Sequence, residues 1–185
     1  MYATLGNMAK PHARPGDTGT TDHPQSGRIG KDCLAIEIVG LFDEAHVALG
    51  YAYVACKESA CEDFGPALER CMDILFACAT LTATAADIAR TVSWLEEEIA
   101  RLDDLLPALD SFIRPTGCEL SCRLHLARVQ IRRLERGLWG AIGNDEWSSA
   151  DGCPFLNRLS DYLFAAARYA NHRDGCGDMR AHSHT

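Results

Sequence analysis

Between Gly117 and Ile142 the apolar residues Leu120, Leu124, Ala127, Ile131, Leu134 and Leu138 recur at spacings of three and four. A helix puts residues at that spacing on one face, so the stretch predicts one long α-helix with a single buried side. The same period predicts a helix over residues 33–57, on a stripe of Ile36, Val39, Val47 and Val54. It predicts a second from Pro66 to Ala86, on Leu68, Met72, Leu75 and Ala79. Pro66 suits a first turn, where its missing N–H costs nothing, and Thr80, Thr82 and Thr84 weaken the far end. Ser93 and Glu96 read as a capping box opening a third helix, on Leu95, Ile99, Leu102 and Leu106, that ends near Pro107. Pro154 opens the last, which runs to Asn171 on Leu156, Leu159, Leu163, Ala167 and Ala170. No stretch reads convincingly as a strand. The expectation is an all-α, single-domain five-helix (four-helix-like) bundle over residues 33–171, with a flexible segment 1–32 before it and a disordered tail 172–185 after it.

The neighbouring face of the long helix holds His125, Arg128, Arg132, Glu135 and Arg136, with Arg133 beside it. Guanidiniums crowded within two turns repel one another unless an anion sits among them. The planar fork of Arg matches phosphate or carboxylate. The competing reading is a solvated charged face that Glu135 partly neutralises. A net charge of -8 argues against a general nucleic-acid binder. The row therefore reads as a local basic site on an acidic protein, suited to a small anionic ligand. Asn157 and Asp161 share a face of the last helix, with Arg158 and Arg168 nearby. Asp43 falls near the apolar face of the first helix, which predicts a partly buried carboxylate; such a group needs a partner, and the Arg row could supply one.

Residues 1–32 are poor in apolar side chains and predict no regular element. They contain Arg14, Pro15, Gly16, Asp17, Thr18, Gly19, Thr20 and Thr21, followed by Lys31 and Asp32. Glycines expose backbone N–H groups while Thr and Lys add donors, so such a loop can cradle phosphates; the same composition also makes ordinary turns. It is not a Walker A loop.

Nine cysteines without a CxxC pair, in a chain without a secretory apolar region, read as reduced thiols of a cytoplasmic protein. Cys118 and Cys122 open the long helix, where the dipole could lower a thiol pKa; the plainer reading is that they fill helix contacts. His172, Cys176, His182 and His184 are metal-ligand candidates on a terminus expected to fray. No run of about eighteen apolar residues predicts a membrane span. The Glu-x-x-His pairs of a ferritin-like di-iron bundle are missing, which sets that class aside.

Several segments taken in order carry a resemblance. These are Gly16 to Thr21, Lys31-Asp32, Gly40 to Glu44, Ser111 to Gly117, His125 to Arg128 running into Arg132 to Arg136, Phe155 to Phe164, and Ala167 to Asn171. Across residues 10–175 the chain resembles the trimeric ATP:cob(I)alamin adenosyltransferases of the propanediol-utilisation type. The resemblance implies that Co(I) of a reduced corrinoid attacks the 5′ carbon of ATP and triphosphate leaves. The nucleophile then belongs to the substrate, and the protein supplies position and electrostatics.

Carried over position by position, the resemblance implies an ATP site of Arg14, Pro15, Gly16, Asp17, Gly19, Thr20, Thr21, Lys31, Arg132, Arg133, Glu135, Arg136 and Asn157. It implies an Arg128–Asp43 ion pair across a subunit boundary, and Phe112 at the corrinoid, helping to keep the lower axial position of cobalt empty. Arg128, Asp43 and Arg132 are the residues it assigns to catalysis. Mg²⁺ is expected to come with ATP rather than from protein ligands. A cob(II)alamin reductase and an adenosylcobalamin-dependent enzyme are the implied partners, with no nucleic acid and no membrane. Ala13, Arg114, Thr116, Ala45 and His46 depart from the family pattern, which has Thr, an aliphatic residue, Gly, Leu and Asn there. Those departures motivate an alternative: an impaired paralogue that binds corrinoid or ATP as a carrier or sensor.

Overall fold

The structure is a computed structural model that describes residues 16–23 and 26–181. Five helices form the bundle: α1 (Leu34–Lys57), α2 (Gly65–Ala79), α3 (Ala85–Asp103), α4 (Glu119–Gly143) and α5 (Gly152–Arg173). Around the bundle each packs on the next in the order α1, α4, α5, α3, α2. The all-α expectation holds for the bundle. Among the described residues no helix is long and apolar enough to cross a membrane.

The core is assembled from the stripes that period predicts. On α4, Leu120, Leu124, Ala127, Ile131, Leu134 and Leu138 are all buried, and on α5 so are Leu156, Leu159, Leu163, Ala167 and Ala170. Each such Leu or Ile contributes about 1.5–3 kcal/mol of transfer free energy. Tyr162, Phe42, Phe64 and Phe155 are the largest fully buried side chains.

Helix α1 departs from its predicted stripe. Its buried side is Ile38, Leu41, Phe42, Ala45, Leu49, Ala52 and Cys56, whereas Val47 and Val54 are each 59% exposed. The helix is apolar round most of its circumference, so spacing alone does not select the inward face. Helix α3 starts nine residues before the predicted cap. Thr84 Oγ1 accepts from Asp87 N at 3.2 Å and Asp87 Oδ2 accepts from Thr84 N at 3.2 Å, a complete capping box. Ser93 lies inside the helix. The Thr84–Asp87 box wins because α2 has already stopped at Ala79 and Leu81 takes a left-handed backbone at φ 58°.

Segment 1–32, for which no regular element was expected, contains a β-hairpin. Strands β1 (Thr20–His23) and β2 (Gly27–Gly30) pair antiparallel, Thr20 opposite Gly30 and His23 opposite Gly27. Too short to show a period, the hairpin is stabilised by packing on the bundle. The His23 ring meets Trp147 edge-on at 5.9 Å, and Trp147 stacks on Phe42 at 5.9 Å. Glu146 Oε2 accepts from Ala35 N at 3.3 Å in the first turn of α1.

The segment expected as a tail from residue 172 begins inside the last helix. Helix α5 continues to Arg173, and Arg180 then pairs antiparallel with Ile113 of the α3–α4 loop. His182 and His184 lie outside the described residues.

Candidate active site

Helix α4 is the site's scaffold. Its N-cap is Cys118, whose Sγ accepts from Ser121 N at 3.5 Å. Ahead of it the chain turns at Gly117, with φ 134°. Asn171 of α5 fixes this entry: its Oδ1 accepts from Cys118 N at 3.0 Å, and its Nδ2 donates to Thr116 O at 2.9 Å. The start and the flanks of α4 are thereby registered against α5.

That register splits the arginine row into two flanks. Arg128 and Arg132 face a cleft of ≈ 450 Å³ lined also by Asp103, Ser160, Asp161, Phe164 and Arg168. Arg128 is half-buried, its guanidinium 5.9 Å from the Phe164 ring, and its Nε has no partner among the described residues. Burial first, and the charge of Arg132 second, lower its pKa from the ordinary value. A cationic pair held this way favours an anion in the cleft. Arg133 points to a different flank, donating to Glu44 of α1 at 2.7 Å with Glu37 at 3.5 Å. Glu135 Oε1 accepts from Asn157 Nδ2 at 3.4 Å, joining α4 to α5. Arg136 is exposed, and Asp43 is half-buried on α1 as its position predicts.

His125, grouped by spacing with the arginines, is a core residue only 4% exposed. Burial first, then the Arg128 charge, bring its pKa down to about 4, with Asp178 opposing. It is neutral at pH 7. Sequence spacing could not separate it from the row, because one helical step carries it past the edge of the buried face.

The glycine-rich loop closes on itself. Gly19 N donates to Gly16 O at 3.3 Å, and Lys31 N donates to Gly19 O at 2.9 Å. A Cβ at Gly16 would stand 2.8 Å from Lys31 Nζ, the end of a flexible side chain, so the glycine lets the ammonium lie close over the turn. Thr20 and Thr21 are half-buried in β1, while Asp17 and Thr18 are exposed. Arg14 and Pro15 lie outside the described residues. Among the described residues from Gly16 to Lys31, none lines the cleft of Arg128 and Arg132. One chain therefore presents the two groups separately.

Phe112, in the α3–α4 loop, is 90% exposed. The sequence gives no signal for what holds that loop. Arg168, buried on α5, donates through Nε to Asp178 Oδ2 and through Nη2 to Pro107 O, each at 2.7 Å. The cysteines are all free. The helix dipole does not activate Cys118, whose pKa is raised, chiefly by burial, and burial pushes Cys71 up to about 12. Among the described residues no group of three His, Cys, Asp or Glu side chains could hold a metal ion.

Fold and site together define a helical bundle in which two guanidiniums of α4 face one cleft and the α3–α4 loop exposes Phe112. The chain belongs to the cobalamin adenosyltransferase family, whose profile matches residues 12–170. It is 34% identical over 177 residues to the corrinoid adenosyltransferase of Bacillus subtilis, covering 92% of this chain and 91% of that one. It is 35% identical over 185 residues to the corrinoid adenosyltransferase MMAB of Mus musculus, covering 94% of this chain and 77% of that one. Among solved structures, a variant PduO-type ATP:corrinoid adenosyltransferase from Lactobacillus reuteri, complexed with cobalamin and ATP, superposes with a TM-score of 0.84. It is 33% identical, over 94% of this chain and 97% of that one.

Proposed function

We propose that this chain transfers the 5′-deoxyadenosyl group of ATP to the Co(I) of a reduced corrinoid at a site shared by neighbouring subunits. Family membership and the likeness to ATP- and cobalamin-bound structures carry the transfer itself. The shared site is supported by the separation of the phosphate loop from the Arg128–Arg132 cleft within one chain. The apolar residues left outside α1 and α4 support a homotrimer. Val47, Tyr51 and Val54 on α1 and Leu126 and Val129 on α4 are exposed, and the Arg123 guanidinium, 5.1 Å from the Tyr51 ring, joins the two sets.

Chemically, the Co(I) electron pair forms a bond to C5′ while the C5′–O bond breaks and triphosphate leaves with the C5′–O bonding pair. Cobalt is oxidised to Co(III) and the adenosyl carbon is reduced correspondingly, so no further redox partner enters this step. Arg132 and Arg136, Arg133 on exchanging Glu37 and Glu44 for phosphate, Lys31 over its turn, and the loop from Arg14 to Thr21 stabilise the charge that grows on triphosphate. Such preorganised charge is worth about 2–4 kcal/mol per donor removed. Glu135 and Asn157, already paired, orient the nucleoside end. Arg128 pairs with Asp43 of the neighbouring subunit and ties the two halves of the site together. Phe112 sits against the corrinoid and keeps water and ligands from the lower face of cobalt. Mg²⁺ arrives on the nucleotide and shields its phosphates. A cob(II)alamin reductase supplies the Co(I) state, an adenosylcobalamin-dependent enzyme takes the product, and the protein works in the cytoplasm.

The test is anaerobic: protein, Co(I) cobalamin, ATP and Mg²⁺ are mixed and absorbance is followed. Loss of the Co(I) band with appearance of light-sensitive adenosylcobalamin is expected. Binding of ATP or corrinoid without product would replace this reading with that of a carrier or sensor.

A further inference from the structure

The segment after α5 turns back and closes on the loop that carries Phe112. Arg114 N donates to Met179 O at 2.8 Å, and Ala181 N donates to Phe112 O at 2.8 Å. Arg180 Nη2 donates to Asp110 Oδ2 at 2.8 Å. These are exposed contacts, and alone they would fray. What fixes them is the buried fork of Arg168. It holds Asp178 on one side and the carbonyl of Pro107 on the other, the Arg168 and Asp178 side chains being 7% and 19% exposed. One guanidinium thus ties the returning strap to the start of the loop, and the strap ties down its middle. The Phe112 ring projects into solvent at 90% exposure, so its position is set by its backbone.

We infer that Asp178, acting through Arg168, is a positioning residue for the corrinoid half of the reaction, because the strap 174–181 that it anchors holds the Phe112 loop. This rests on the proposed function, in which Phe112 faces the corrinoid. A buried ion pair that loses one partner leaves an uncompensated charge, so the strap releases and the loop loses its second edge. A displacement of about 1 Å in a positioning element can cost about a hundredfold in rate. Arg168 and Pro107 line the cleft of Arg132, but among the described residues none of the strap 174–181 does, so the larger effect is expected on the corrinoid side.

The experiment compares wild type with Asp178→Asn, Asp178→Glu and Ala181→Pro. Ala181→Pro removes the N–H that Phe112 O accepts and leaves the bundle core alone, so it remains informative if Asp178→Asn does not fold. KM is measured for cobalamin at saturating ATP and for ATP at saturating cobalamin. Absorbance of bound cob(II)alamin reports how much has lost its lower axial ligand. Asp178→Asn and Ala181→Pro are expected to raise the cobalamin KM about tenfold and to lower the fraction without a lower ligand, with the ATP KM within about twofold of wild type. Asp178→Glu recovers part of both. Wild-type cobalamin KM and spectrum in both variants overturn the inference and leave the proposed function standing. Equal rises in both KM values also overturn it, because they mark a general structural role. A wild-type protein that forms no adenosylcobalamin overturns the proposed function first, and this inference with it.

Discussion

The side-chain amide of Asn171 occupies the space into which a Cβ on Gly117 would project. Gly117 has φ 134°, and Asn171 bonds the backbone on both sides of it, at Thr116 O and Cys118 N. A methyl group there must push the amide out, break both bonds and strain the backbone. Gly117→Ala is expected to destabilise the fold by about 3 kcal/mol, read as a lowered urea midpoint. Asn171→Ala, which removes the bonds without the strain, is expected to cost about 2 kcal/mol. A Gly117→Ala variant as stable as wild type would exclude the clash.

Arg132 lines the cleft from an exposed position and supports nothing in the core. Arg132→Ala is therefore expected to leave thermal stability within about 0.5 kcal/mol of wild type. It should weaken ATP binding by about 2–4 kcal/mol, which is about 30- to 1,000-fold in Kd. Calorimetric titration with ATP measures this, and an unchanged Kd would remove Arg132 from the nucleotide site.

His125 makes stability depend on pH. Its folded pKa is brought down to about 4, against an ordinary 6.5. The unfolded chain takes up a proton near pH 6.5 that the folded chain refuses until about pH 4. This contribution is whole above pH 6.5 and is lost as pH falls through that window. The loss approaches about 3 kcal/mol at the lower end. Carboxylates titrate over part of the same range, so the measurement is a difference: urea unfolding at pH 7.5 and pH 4.5, wild type against His125→Leu. The variant should lose less stability on acidification, and an equal loss in both would show that His125 takes up its proton without resistance.

The proposed homotrimer would bury the outer faces of α1 and α4. Val54 and Val47 are each 59% exposed, and Tyr51 is 54% exposed. A charge placed there meets water in a single chain and an apolar partner in a trimer. Val54→Asp is expected to move the mass seen by light scattering from three chains to one and to abolish turnover, with helical content kept. A trimer that persists in that variant would move the interface elsewhere.

Periodicity was enough for the α4 and α5 stripes, because burial of a helix face demands a 3.6-residue repeat and the polar side chains leave that repeat visible. It failed for α1, where Val47 and Val54 fit the stripe as well as Leu41 and Leu49 and yet face outward. Composition pointed to the loop of Gly16 to Lys31 but missed its hairpin, whose stability comes from Trp147, far away in sequence.

The sequence by itself determined the class of fold, the basic character of one helix and, through ordered motifs, the family. Local chemistry is written in residue order, and these depend on it. Only the tertiary structure decided which arginines share a cleft, that Arg133 answers Glu37 and Glu44 instead, and that His125 is core. It alone placed Asp178 on Arg168, and with it the strap on the Phe112 loop. Such pairings join segments distant along the chain, and which side chains meet there depends on how helices rotate to bury their apolar faces, a quantity that no local spacing contains.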